Sequence, residues 1–285
     1  MKETAEQWLA TLKEEAGSHD LKHLDLLINA TLLDYPLQER LQELSPSPPL
    51  ARLLEGTPEQ ALAAQGPMLI RVFWESPDQV SWVESFLHAF HDQSRVLAVM
   101  SRWSFDDLTE HLRHCTQIEW DEGARSGLLR YYDTRIFESV AGLIRPLRDY
   151  AFDGRPLEGM DLCGRVFHGA VISWHWIDRE QCSRTLHGEP VPRDHLPRPL
   201  PILRLSSHCV TTLQRWKEVE GFFLAHEESL RTLGADHQRN ARYQVFEAVC
   251  DAEKQSLFGE ERTDFIFANL YKIFPFLTLL DRRGS

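Results

Sequence analysis

The chain is poor in the groups that announce chemistry. Its five cysteines, Cys115, Cys163, Cys182, Cys209 and Cys250, are odd in number, widely spaced and form no CxxC pair. That pattern predicts reduced thiols in a cytosolic protein and not a disulfide framework. Positive charge is also short: 31 Lys and Arg stand against 43 Asp and Glu, a formal net charge of −12. An acidic surface favours solubility and works against unspecific nucleic-acid binding, though it leaves room for a local basic patch. No apolar run approaches the ~18 uninterrupted residues of a membrane span. Residues 1–20 are charged and amphipathic, without the apolar centre of a signal peptide. A cytoplasmic protein with no membrane partner is the expectation. Missing too are the GxSxG elbow, the GxxxxGK[ST] phosphate loop, GxGxxG and HExxH. Neither a cofactor nor a metal is expected.

What is present is an ordinary globular composition, 42% hydrophobic and 26% charged over 285 residues, enough for one large core or two lobes. Glu3 to Ala16 has helical spacing through Trp8, Leu9 and Leu12 and reads as a loosely docked leading helix. His23 to Thr31 reads as a strand, Leu37 to Leu44 as a short helix ended by Pro46, Pro48 and Pro49. Gly66-Pro67 opens an apolar strand, Met68 to Trp74, of a kind buried on both faces. Val83, Phe86, Leu87 and Phe90 form the stripe of a helix packed on a sheet. Arg95 to Ser101 is a second buried-type strand, and Ser104 caps a helix over Phe105 to His114. Thr116 to Trp120 and Leu128 to Asp133 read as a hairpin, and Arg165 to Ile177 as one or two further strands. Residues 1–178 are thus predicted as an α/β lobe with a mixed sheet flanked by helices. Residues 179–204, with five arginines, five prolines and three acids, read as an extended connector. Residues 205–285 have helical spacing throughout and read as an all-α lobe of about three helices, with Gly234 and Gly259 as stops.

The stretch Leu128 to Phe137 organises the rest. Tyr131 and Tyr132 favour a pleated strand, Asp133 sits where a helix N-cap would be, and Thr134 to Val140 reads as the helix that follows. Arg130, Asp133 and Arg135 bracket the turn, so that one carboxylate can answer two guanidiniums. As chemistry this is a strand-to-helix joint.

The run Arg130-Tyr131-Tyr132-Asp133-Thr134-Arg135-Ile136 resembles the RYYDPRV-type signature of the DUF4123 family, with Thr134 in place of the usual proline. Gly66-Pro67-Met68-Leu69-Ile70 resembles a second family feature, Gly-Pro followed by an apolar strand. The likeness covers roughly residues 20 to 145. It implies an adaptor-chaperone of bacterial type VI secretion, without catalytic activity, in the cytoplasm of a Gram-negative cell. Its implied partners are a toxin effector and the secretion spike protein (VgrG).

Other residues compete for a role. In His111-x-x-His114-Cys115, His111 and His114 have the i, i+3 spacing of metal ligands on one helix face, but no second ligand pair accompanies them. His88 and His91 read as the polar edge of an amphipathic helix, and His226 with Glu227 and Glu228 as a solvated helix face. In Ser173-Trp174-His175-Trp176 the two tryptophans share a strand face, either as core or as a stacking platform. Arg193 and Arg198 are either solvated linker residues or anchors for a partner's carboxylates. The apolar run from Phe265 to Leu280 is either the centre of the helical lobe or a surface for another protein. The motif residues are therefore Arg130, Tyr132, Asp133 and Arg135, and the candidate partner contacts Trp174, Trp176, Arg193, Arg198, Trp216 and Phe222. The competing readings are a hydrolase using histidine and carboxylates of the α/β lobe, and a nucleic-acid binder built on the arginine connector.

Overall fold

The structure is a computed structural model that describes residues 3–31, 33–145, 160–178, 181–196, 198–230, 233 and 235–274. The chain divides into two units, Met1–Ser207 and His208–Ser285. The first begins with α1 (Ala5–Ser18), β1 (His23–Asn29), α2 (Leu37–Gln42), β2 (Leu50–Arg52), β3 (Pro67–Phe73), α3 (Pro77–Phe90) and β4 (Val96–Met100). It continues with α4 (Phe105–His114), β5 (Gln117–Trp120), β6 (Arg125–Leu128), α5 (Thr134–Leu143), α6 (Met160–His168), β7 (Ser173–Ile177), β8 (Ser183–His187) and β9 (Leu203–Arg204). The second carries α7 (Ser207–Ala225), α8 (Glu227–Leu230), α9 (Ala235–Lys254) and α10 (Gly259–Ile273).

Six strands form the main sheet in the order β2-β3-β1-β4-β7-β8. Every neighbouring pair in it is antiparallel. The mixed character expected of the lobe is confined to a small second sheet, β6-β5-β9, in which only β5 and β9 run parallel. Strands β1, β3 and β4 are buried almost end to end, because helices cover both sheet faces. On one face, α1 and α3 pack Trp8, Leu12, Val83, Phe86 and Leu87 onto Leu24, Leu26, Ile28, Ile70 and Val72. Helix α1 is firmly held: Thr4 and Gln7 form a reciprocal capping box at its start, and Trp8 and Leu12 are fully buried. It is not the loosely docked leader that its charged sequence predicts.

On the other face lie Trp103, α4, α5 and α6. Tyr131 of the turn before α5, Phe137 of α5 and Phe167 of α6 surround Trp174 of β7. The segment Arg165 to Ile177, expected as one or two strands, is the end of a helix followed by a strand. Val166 and Phe167 are buried on the α6 side chain stripe, and Gly169 ends the helix where a Cβ would stand 2.5 Å from the Arg165 carbonyl. Tyr131 and Tyr132 likewise lie in the turn after β6 and not in a strand, since the hairpin closes at Leu128. Residues 181–204 are not a free connector: β8 completes the main sheet and β9 the small one. Between them Trp103 donates its indole N–H to Val191 O at 3.0 Å, and the Val191 amide donates to Gly169 O at 2.9 Å.

In the second unit, α7, α9 and α10 bury Val219, Phe222, Phe223, Val245, Val249, Ile266 and Leu270 against one another. Arg262 spans Glu218 at 2.6 and 2.8 Å, and Arg215 reaches Glu253 at 2.6 Å, tying the helices on their polar sides. Gly259, read as a stop, opens α10 with φ +55°. Gly234 and the residues from Pro275 onward lie outside the described residues. An α/β first unit followed by an α-helical second unit is therefore what the chain forms.

Candidate functional site

The strand-to-helix joint is built as its sequence requires. Asp133 caps α5, accepting the Arg135 amide at 3.2 Å, while its own amide donates to Arg130 O. The same carboxylate takes Arg135 in a two-pronged pair, Nε at 2.8 Å and Nη2 at 2.7 Å, and Arg130 Nη2 at 3.4 Å. The Asp133 side chain is buried, whereas both guanidiniums are partly open to solvent, at 41% for Arg130 and 37% for Arg135. Thr134 occupies the first helical position, at which a missing amide would break no helical bond, so proline would also be tolerated there. Tyr131 is fully buried and donates its hydroxyl to Leu112 O at 2.8 Å, fixing the turn to the end of α4. Tyr132 is also buried, and burial raises its phenol above the usual value. The joint thus orients α5 and presents two half-exposed arginines beside a satisfied carboxylate.

The other sequence candidates scatter. Trp174 and Trp176 are buried, so neither offers the exposed ring that a stacking platform needs. Trp174 stacks on Phe167 at 5.5 Å and donates to His168 Nδ1 at 3.1 Å; His168 Nε2 then donates to Ile144 O at 2.7 Å. Arg193 lies over the Trp103 ring at 5.2 Å and near Asp107 and Glu110, at 3.6 and 3.7 Å, inside its own unit. Its neighbours already include two carboxylates, which disfavours the partner-anchor reading. Arg198 is exposed. In the second unit Phe222 is buried, and Trp216 is half-buried and stacked on Phe246 at 4.5 Å.

The histidines part company as well. His114 Nε2 reaches Pro201 O at 2.9 Å, whereas His111 is fully buried beside Trp103 and 3.7 Å from the Cys115 sulfur. Burial pushes His111 down to about 3 and the Cys115 thiol well up, so both stay neutral near pH 7. That is the reverse of an activated thiolate-imidazole pair. A serine-histidine pair that sequence reasoning passed over sits on β7. Ser173 Oγ and His175 Nε2 are 2.8 Å apart, Ser173 donates to Glu15 Oε1 at 3.3 Å, and Thr185 Oγ1 lies 3.1 Å from His175 Nδ1. Both Ser173 and His175 are buried, and burial pushes His175 down to about 4. The alternation Ser-Trp-His-Trp was its only sequence signal. Among the described residues no group of three or more His, Cys, Asp and Glu is placed to hold a metal ion.

These depressed histidines carry a pH dependence. The unfolded chain binds a proton at each near pH 6.5, the folded one only near 4 or 3. Between those values the unfolded state holds more protons, so stability falls as pH is lowered from about 6.5 towards 4. The slope is up to about 1.4 kcal/mol per pH unit for each histidine. Urea midpoints followed from neutral to mildly acidic pH check this, and His175→Gln is expected to flatten the profile.

Concavities among the described residues of the first unit include two of some size. One, of about 560 Å³, is lined by Glu119, Cys163, Val166, Pro201, Leu203 and Arg204. The other, of about 670 Å³, runs between α1 and α3 over Leu9, Trp74 and Val80. Neither is lined by the joint, by His111 or by the Ser173-His175 pair.

Fold and site together define an α/β scaffold domain whose most distinctive charges hold one of its own helices in place. Within it, residues 26–144 match the family model described as "Domain of unknown function (DUF4123)", so this part of the chain is a DUF4123 domain. The match takes in the joint, ends just after α5 and spans less than half of the chain. No curated protein and no solved structure matches the sequence.

Proposed function

We propose that the protein is a non-catalytic adaptor that binds a toxin effector of a type VI secretion system and helps load it onto the spike protein. It would act in the cytoplasm of a Gram-negative bacterial cell. The observation that carries this reading is the DUF4123 domain with its arginine-tyrosine-aspartate joint intact, since that signature is what resembles the adaptors. The neutral, buried state of His111, Cys115 and His175 supports the non-catalytic half. No helix among the described residues is long and apolar enough to cross a membrane.

The test is co-expression with whichever toxin and spike proteins its neighbouring genes encode, followed by size-exclusion chromatography. A soluble complex with the toxin is expected, together with loss of toxin solubility when the adaptor is left out. Failure of every neighbouring toxin to bind, or turnover of a small substrate that one point change abolishes in a folded protein, overturns the reading.

A further inference from the structure

The main sheet ends on two edges of different character. The β2 edge is three residues long and follows Pro46, Pro48 and Pro49, which blunt it. The β8 edge, Ser-Arg-Thr-Leu-His, is five residues long and carries no proline, glycine or lysine. Its register fixes which backbone groups point outward. Asp178 donates to Cys182 O and Gly188 to Ile172 O, so the β7–β8 hydrogen bonds fall on Arg184 and Leu186, and Ser183, Thr185 and His187 face away from the sheet. The Ser183 amide is occupied by Glu3 Oε2 at 3.0 Å, and Glu3 N–H donates to Gln181 O. The main-chain groups of Thr185 and His187 make no bond among the described residues, and both residues are exposed.

We propose that this edge receives an additional β-strand from an extended, basic segment of a partner protein. Unpaired amides and carbonyls at strand spacing select an extended backbone whatever its side chains. Charge narrows the choice. Glu3 lies at the edge itself, Glu15 on the face of Ser173 and Thr185, and Glu138, beside the Trp176 indole, on the opposite face. A strand laid here places alternate side chains beside Glu15 on one face and beside Glu138 on the other, where Arg184 already answers Asp178 at 2.6 Å, within a protein of net charge −12. Lysine or arginine at alternate positions fits that environment. That this partner is the secreted client rests on the adaptor reading; the edge and its chemistry do not.

The test uses the full-length protein with a short peptide of alternating lysine and valine, and one of glutamate and valine as control. Amide exchange at Thr185 and His187 is expected to slow at least about tenfold with the lysine peptide and not with the glutamate one. His187→Pro removes an outward N–H without touching the β7 ladder, and is expected to weaken lysine-peptide binding about tenfold at unchanged melting temperature. Absence of binding, binding that leaves these two amides exchanging freely, equal binding of both peptides, or undiminished binding by the proline variant overturns the proposal. The exchange readout on the unmodified protein decides the matter if that variant does not fold. A client complex that forms equally well with His187→Pro refutes the edge and spares the adaptor. No client complex at all refutes the adaptor and leaves the peptide result standing.

Discussion

Asp25→Ala is expected to destabilise the first unit by about 3–5 kcal/mol. Asp25 sits in the centre of β1 with no exposed surface, and Arg71 opposite it on β3 is buried too. The pair is two-pronged, Nε to Oδ1 and Nη2 to Oδ2, both at 2.8 Å. Arg71 also donates to Trp103 O at 3.1 Å and lies 5.7 Å from the Phe105 ring, and His23 approaches the carboxylate at 3.5 Å. Removing the carboxylate leaves a guanidinium inside the sheet-helix layer with one carbonyl and one ring for company, and burial of an uncompensated charge is what costs so much. Urea unfolding followed by tryptophan fluorescence measures the loss. The paired change Asp25→Leu with Arg71→Met is expected to recover most of it, because neither charge then needs a partner. A double variant as unstable as the single one would show that packing, and not the stranded charge, is at fault.

That pair also marks where the sequence was legible and where it was not. A lone aspartate in His-Leu-Asp-Leu-Leu-Ile-Asn and a lone arginine in Met-Leu-Ile-Arg-Val-Phe each break an apolar strand, and two opposite interruptions of that kind call for each other. The pairing itself depends on β1 lying beside β3, a non-local fact. Local signals did better. Ser104 sets α4 at Phe105–His114, and Asp133 sets the start of α5, because an N-cap satisfies amides within its own turn. Residues 165–168, expected as strand, are the end of α6, because the run Val166, Phe167, Val171, Ile172 is apolar at both helical and strand spacing, and nothing local separates the two. The arginines and prolines of residues 181–204 speak of exposure and extension, but extended backbone is equally what β8 and a docked strap need. The joint was readable since Arg130, Asp133 and Arg135 lie within six residues; the β8 edge was not, since a strand becomes an edge only when its sheet is assembled.

Trp174→Ala is expected to cost about 3–5 kcal/mol, as for a large aromatic removed from a packed core. The indole has no exposed surface and meets four aromatic neighbours, Tyr131 at 6.0 Å, Phe137 at 5.3 Å, Phe167 at 5.5 Å and His168 at 6.3 Å. These come from the joint, α5 and α6, so one side chain on β7 holds together three of the segments on this face of the sheet. Its N–H also fixes His168 Nδ1 as the acceptor, leaving Nε2 to donate to Ile144 at the end of α5. Truncation therefore opens a cavity and takes the indole donor away from His168 Nδ1, two costs that add. Trp174→Phe fills most of the volume but cannot donate, and its smaller loss isolates the hydrogen bond at about 1–3 kcal/mol. Trp176→Ala provides the contrast. That ring keeps a little exposure at 6% and its N–H reaches Glu138 at 3.4 Å near the surface, so a milder loss is expected. If Trp174→Ala left unfolding unchanged while abolishing partner binding, the ring would be a contact surface after all, and the packing derived for it would be wrong.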